Sequence, residues 1–185
     1  PDQPTEPEQP DTPDTPSNPG TELSVLEEGK AYNMVMVQGK LNQTLYLAGG
    51  LSGEYWATTT SASAAKAVYV EKDGDGYHFY YTDANGAKTY IEAYLNSSNK
   101  PRPQASTTAT QVWTYDAESG VFVVNMNDQN YYMGTYNTYD TISVSSTYYI
   151  TGSNAGNKGV TQFYVAFVEA GTTGGETPDT PVNPD

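Results

Sequence analysis

Three times along this chain an alternating strand, a polar turn and an apolar-flanked tyrosine follow one another, an order that suits β-hairpins and not helices. The leading strands are Tyr32-Asn33-Met34-Val35-Met36-Val37, Tyr77-His78-Phe79-Tyr80-Tyr81 and Val121-Phe122-Val123-Val124-Asn125-Met126. The turns are Gln38-Gly39-Lys40, Asp83-Ala84-Asn85-Gly86 and Asn127-Asp128-Gln129, and the tyrosines are Tyr46, Tyr90 and Tyr132, spaced 44 and 42 apart. Asn85-Gly86 is a strong hairpin signal, because a primed turn needs positive φ at its centre. A later aromatic strand closes each unit: Ala67-Val68-Tyr69-Val70, Gln111-Val112-Trp113-Thr114-Tyr115 and Gln162-Phe163-Tyr164-Val165. In this alignment Trp113 stands in register with Tyr69 and Tyr164, a recurrence that suggests core.

Strands rich in Val, Tyr, Thr and Phe, short polar turns and almost no helical period predict an all-β, antiparallel domain. Ser61 to Lys66 is the one stretch with a helical turn's composition, and it reads as a loop. Three units of about 43 residues, with closure requiring the chain ends to pair, suggest a β-trefoil-like barrel. A two-lobed pair of antiparallel sheets is the alternative.

The flanks differ in kind. Proline stands at every third position from Pro1 to Pro19 among acidic and small polar residues, and Gly171 to Asp185 repeats that composition. Such segments have no large apolar side chain to offset their conformational entropy, so 1–22 and 171–185 are expected to be extended linkers around a 23–170 domain. They hold nine of the 22 acidic residues and none of the eight basic ones, which leaves the core at −5 of the chain's −14. Acidic Pro/Thr linkers are a habit of secreted bacterial multidomain chains, so a secreted, extracellular or cell-surface location is expected.

That charge disfavours nucleic acid and anionic membranes, which attract clustered Lys and Arg. Without cysteine the chain has no disulfide, thiolate site or Cys nucleophile. The only imidazole, His78, sits inside a strand with no nucleophile elbow in the chain, so catalysis is not expected. A glycosidase needs two carboxylates, yet Glu54, Glu71, Asp73, Asp75, Asp116, Glu118 and Asp128 all fall in or beside turns, where acidic groups are ordinarily solvated. Asp73-Gly74-Asp75-Gly76 lacks the further ligands of a calcium loop and reads as a hairpin turn; no metal or cofactor is expected.

The informative residues are aromatic. The chain has 17 Tyr and 2 Trp against 4 Phe, and a Tyr hydroxyl is comfortable at a wet surface, so many of these rings are expected to be exposed. Rings flanked by Asn, Thr and Asp suit sugars, which stack a CH face on the ring and offer hydroxyls to the polar neighbours. The densest cluster, Gly134 to Thr141, contains Tyr136, Asn137, Tyr139 and Asp140. Tyr55 and Trp56 are adjacent, so in a strand one of them faces out. Trp113 and Tyr94, the latter beside Lys100 and Arg102, complete the candidate sugar-contacting set.

The segments Leu45-Tyr46-Leu47, Gly53 to Thr59, Tyr132 to Tyr136 and Thr141-Ile142-Ser143 resemble a module of large secreted and surface proteins of gut clostridia. Within that group the chain is similar to the second starch-binding domain of the starch adherence system proteins, which assemble on amylosomes. The resemblance runs from about Lys30 to Ala170. It implies non-catalytic binding of α-1,4-glucan, such as starch or maltooligosaccharides, in a two-lobed groove, by a monomer joined through linkers to other modules. A protein-interaction module of a cell-surface assembly, using the same tyrosines, is the competing expectation.

Overall fold

The computed structural model describes residues 22–38, 43–135, 140–146 and 163–171. Apart from Glu22 and Gly171, both expected linkers lie outside these residues, as do Tyr136, Asn137 and Tyr139. The described chain forms twelve strands: β1 (Tyr32–Gln38), β2 (Gln43–Ser52), β3 (Tyr55–Thr59), β4 (Tyr69–Asp73), β5 (Gly76–Thr82), β6 (Lys88–Leu95), β7 (Pro101–Ser106), β8 (Trp113–Asp116), β9 (Val121–Met126), β10 (Gln129–Thr135), β11 (Ser143–Ser145) and β12 (Phe163–Glu169). A single 3-10 turn, Ala62–Ala64, stands where the sequence suggested a loop. Its neighbours Ala62 and Ala65 pack on Val35, Tyr46 and Val168, covering the outer face of β1, β2 and β12.

Every strand pairing is antiparallel, so the domain is all-β. The ladder runs β3-β2-β1-β12-β10-β9-β8-β5-β6-β7, with β4 on β5 and β11 on β10. The two ends of the chain pair, Tyr32 opposite Glu169 and Met36 opposite Val165. β12 therefore joins two leaves: it pairs with β1 on one side and with β10 on the other. This open, two-leaved ladder is the arrangement that the alternative reading anticipated. Its end strands still touch, because the Trp56 indole on β3 donates to the Gln104 carbonyl on β7 at 3.3 Å.

Two bridges share one offset. Tyr32 pairs with Val68 and Tyr77 with Trp113, so both partners advance by 45 residues. This places Val68, not Tyr69, in register with Trp113. A slip of one residue inverts a strand's faces. Val68 and Trp113 are both fully buried, and Tyr69 turns outward. Gly76 permits the close approach of β5 and β8: a Cβ there would lie 2.6 Å from Val112 Cγ1 and 2.7 Å from the Trp113 carbonyl.

Two turns can be compared with their sequence signals. Asn127 and Asp128 have φ of 52° and 60°, the primed geometry of a two-residue hairpin. Between β5 and β6 the hairpin is present, but its loop spans five residues, 83–87, and only Gly86 is left-handed, at φ 82°. The reason is Asp83, whose Oδ1 accepts from the Asn85 and Ala87 amides at 2.8 and 2.9 Å and folds the loop around its own carboxylate.

One core serves both leaves, and aromatic rings run through it. Trp56 meets Trp113 edge-on at 6.2 Å, Trp113 lies 6.3 Å from Phe79, and Phe79, Phe122 and Phe167 close a triangle with centroids 4.5 to 5.2 Å apart. The tyrosines are less exposed than their number suggested. Tyr32, Tyr46, Tyr77, Tyr81 and Tyr131 are buried, and among the described residues only Tyr94 and Tyr115 are exposed. Buried hydroxyls bind backbone amides: Tyr32 accepts from Glu27 N–H at 2.7 Å, Tyr77 from Leu26 N–H at 3.1 Å and Tyr81 from Gly50 N–H, at the irregular stretch of β2, at 2.8 Å. The buried carboxylate of Glu92 does the same for the β7–β8 connection, accepting from the Thr110 hydroxyl and from the amides of Thr110 and Gln111 at 3.1 and 2.9 Å.

Two substitutions separate these contributions. Phe79→Ala is expected to cost about 3–5 kcal/mol in urea unfolding, the usual range for deleting a core phenylalanine. Glu92→Ala is expected to cost about 1–3 kcal/mol and to speed hydrogen exchange at Thr110 and Gln111, because those amides lose their acceptor. Unchanged exchange there would show that the loop is held by other contacts.

Candidate functional site

The outer edges of β3 and β7 collect most of the described candidate residues. Alternation on β3 buries Trp56, at 1% exposure, and leaves Tyr55 half-buried beside it. On the neighbouring hairpin Tyr94 is 43% exposed and stands directly opposite Arg102. Cross-strand partners share a face, so the ring and the guanidinium project together. Arg102 Nε lies 3.2 Å from Glu54 Oε2 but out of hydrogen-bonding alignment, while Nη1 donates to the Pro101 carbonyl at 2.9 Å. The contact ties the turn that carries Glu54 and Tyr55 to the strand opposite Tyr94. Its Glu54 end is well exposed, so the pair contributes little to stability and stays open to an exchange of partners.

Asp140 reaches the same edge. Its carbonyl accepts from the Thr58 hydroxyl, and Trp56 N–H donates to the Ile142 carbonyl at 3.0 Å. Asp140 and Ile142 are thus attached to β3.

Trp56 and Trp113 do not fit the role expected of them. With exposures of 1% and 0% they offer no ring face to a ligand and instead form the floor beneath the β3–β7 edge. Their burial follows from alternation on β3 and from the true register of β8.

A second group of rings was not anticipated. Tyr69, Tyr80 and Tyr90 stand in a row on the outer face of β4, β5 and β6, with centroids 5.8 and 5.7 Å apart. Phe79 and Tyr81 point inward, so alternation along β5 would have turned Tyr80 out had Tyr69 been read in its correct register. These rings lean on one another, and Lys88 Nζ lies 4.2 Å from the centre of Tyr80, so the middle ring of the row is already engaged. Lys88 also pairs with Glu71, which accepts from the Tyr90 hydroxyl at 3.2 Å. The Lys88 ammonium holds the Glu71 carboxyl below the usual carboxylate range, and Glu71 in turn raises Lys88. Burial, and then Glu71, push the Tyr90 phenol up. The row is a cross-strand brace.

His78 uses both ring nitrogens, with Nδ1 2.8 Å from the Gln111 carbonyl and Nε2 3.2 Å from Asp73 Oδ2. Neither neighbour is a nucleophile. Among the described residues no three His, Cys, Asp or Glu side chains converge as a metal site would require, and no helix is long and apolar enough to cross a membrane. Comparisons with protein-family models, with curated proteins and with solved structures give no match.

The brace generates a pH prediction. Glu71 has a lowered pKa in the folded state, so its contribution to stability is full above the unfolded carboxylate value of about 4.3 and is lost as pH falls through the lower folded value. Replacing Lys88 by Met should therefore flatten the acid limb of the stability–pH curve while leaving its high-pH shape near neutrality similar. An identical acid limb would show that Lys88 does not set the Glu71 titration.

Proposed function

We propose that this chain is a non-catalytic carbohydrate-binding module that holds α-1,4-glucan on the β3–β7 edge. The observation that carries the reading is Tyr94: one of two exposed tyrosine rings among the described residues, it is set beside an Arg102–Glu54 pair that ties two hairpins together. A pyranose offers a CH face and a rim of hydroxyls. Tyr94 and Tyr55 supply rings for the first, and Arg102 and Glu54 supply a donor and an acceptor for the second. Glu54 faces a cation and not a second carboxylate, which favours holding a glycan over hydrolysing it. Stacking is worth on the order of 1 kcal/mol per ring, so useful affinity needs several contacts along a chain.

The choice of α-glucan rests on the resemblance to starch-binding domains, and with it come secretion, a monomeric state and attachment through linkers to other modules. The finer architecture is also inferred. Four strands per unit and bridges that advance by 45 residues support a β-trefoil-like arrangement beneath the open ladder.

Affinity electrophoresis in gels containing amylopectin, β-glucan, xylan or no polymer tests the reading. Retardation by amylopectin alone is expected. Tyr94→Ala should weaken binding about fivefold and the Tyr55→Ala/Tyr94→Ala pair more than about tenfold, at little change in melting temperature. Retardation unaffected by the double substitution would remove this edge as the site, and no retardation by any polymer would remove the carbohydrate reading.

A further inference from the structure

Tyr115, the other tyrosine exposed among the described residues, borders a cleft that shares no residue with the β3–β7 edge. The cleft has a volume of about 170 Å3 and is lined by Glu22 and Ser24 on one side, Tyr115 and Gly120 on the other, and Phe122 and Phe167 beneath. Both sides are fixed by hydrogen bonds. Leu23 N–H donates to the Phe167 carbonyl at 2.9 Å, laying the 22–24 segment along β12. Opposite, Asp116 accepts from Gly120 N–H at 2.8 Å through its carbonyl and from Ser119 N–H at 2.9 Å through its carboxylate, which sets the β8–β9 turn. Tyr115 packs against the buried Phe122 at 5.4 Å and 69°, so its ring has a fixed orientation although 38% of the residue is exposed.

A pre-formed concavity with an aromatic wall and a few polar groups is the usual design of a small-ligand site. This one lies well below the roughly 300 Å3 at which pockets for larger ligands begin, so it suits one ring and not a run of rings. Its lining combines the Glu22 carboxylate and the Ser24 and Tyr115 hydroxyls with Phe122, Phe167 and the residues Leu23, Val165 and Ala166, a mixture of polar groups and apolar surface that matches a neutral sugar better than an anion or a purely apolar molecule. We propose that the cleft is a second carbohydrate site, taking a single terminal hexose of a glycan, while the open Tyr94 edge takes the interior of a chain. The proposal rests on the carbohydrate-binding reading above and adds to it a chain-end pocket.

The test is amide chemical-shift titration of the full chain with two probes, methyl α-D-glucopyranoside and maltotriose. The one-ring glucoside is expected to shift Ser24, Gly120 and Phe167 and to leave Tyr94 and Arg102 nearly unmoved, whereas maltotriose should shift both groups. Glu22→Gln and Ser24→Ala, changes at exposed positions, should each weaken the cleft titration about fivefold, the worth of one lost hydrogen bond, without altering the Tyr94 titration. Tyr115→Ala should abolish the cleft titration alone. Shifts at Tyr94 and Arg102 with the cleft amides unmoved by either probe would overturn the second site and leave the module intact. If neither group moves with either probe, both readings fall.

Discussion

The domain depends on contact between aromatic rings that come from strands far apart in sequence. Trp56 on β3, Trp113 on β8, Phe79 on β5, Phe122 on β9 and Phe167 on β12 form one connected series, all with 1% exposure or less. No two of these strands except the β8 pairings with β5 and β9 are hydrogen-bonded neighbours, so ring contact, and not the backbone ladder alone, closes the space between the leaves. Edge-to-face and offset pairs gain roughly 0.5–1.5 kcal/mol each beyond area burial, and the series multiplies that term at the centre of the core.

A core of large rings leaves its connecting segments poorly paired, and tyrosine resolves this. Tyr32, Tyr77 and Tyr81 add their rings to the interior while their hydroxyls accept hydrogen bonds from Glu27, Leu26 and Gly50. A phenylalanine at any of these positions would bury the same ring and leave an amide without that acceptor. Glu92 serves the 110–111 segment in the same way with a carboxylate. Part of the tyrosine content is thus used inside the fold, and among the described residues only Tyr94 and Tyr115 are exposed.

That division narrows the functional surface. The middle ring of the Tyr69–Tyr80–Tyr90 row is engaged by its neighbours and by Lys88, and the tryptophans are withdrawn beneath β3 and β7. Among the described residues this leaves Tyr94, opposite Arg102, and Tyr115 on a cleft. In the proposed reading the first takes an extended ligand and the second a compact one.

By itself the sequence determined the class and sequence order of the elements. The β-branched and aromatic runs at Tyr32 to Val37, Tyr77 to Tyr81 and Val121 to Met126 favour strands, and side chains alternate clearly inward and outward at Tyr77 to Tyr81, whereas Val121 to Val124 are buried on both faces. The Asn85-Gly86 signal and the polar turn at Asn127-Asp128-Gln129 located two hairpins, the second with only Asn127 and Asp128 in its loop, since local backbone preference is set by the residues themselves. It did not determine register or exposure. Tyr69 and Val68 differ by one position, and nothing local tells which of them faces Trp113; the bridge between Tyr32 and Val68 decides it. Tyr55 and Trp56 were known to face opposite ways, but which way was settled by Trp113 waiting in the core and by the Gln104 carbonyl that receives the indole. Arg102 came to lie beside Glu54, and Glu22 beside Tyr115, only because strands remote in sequence were brought together, and such meetings are a property of the packed sheet rather than of any segment of the chain.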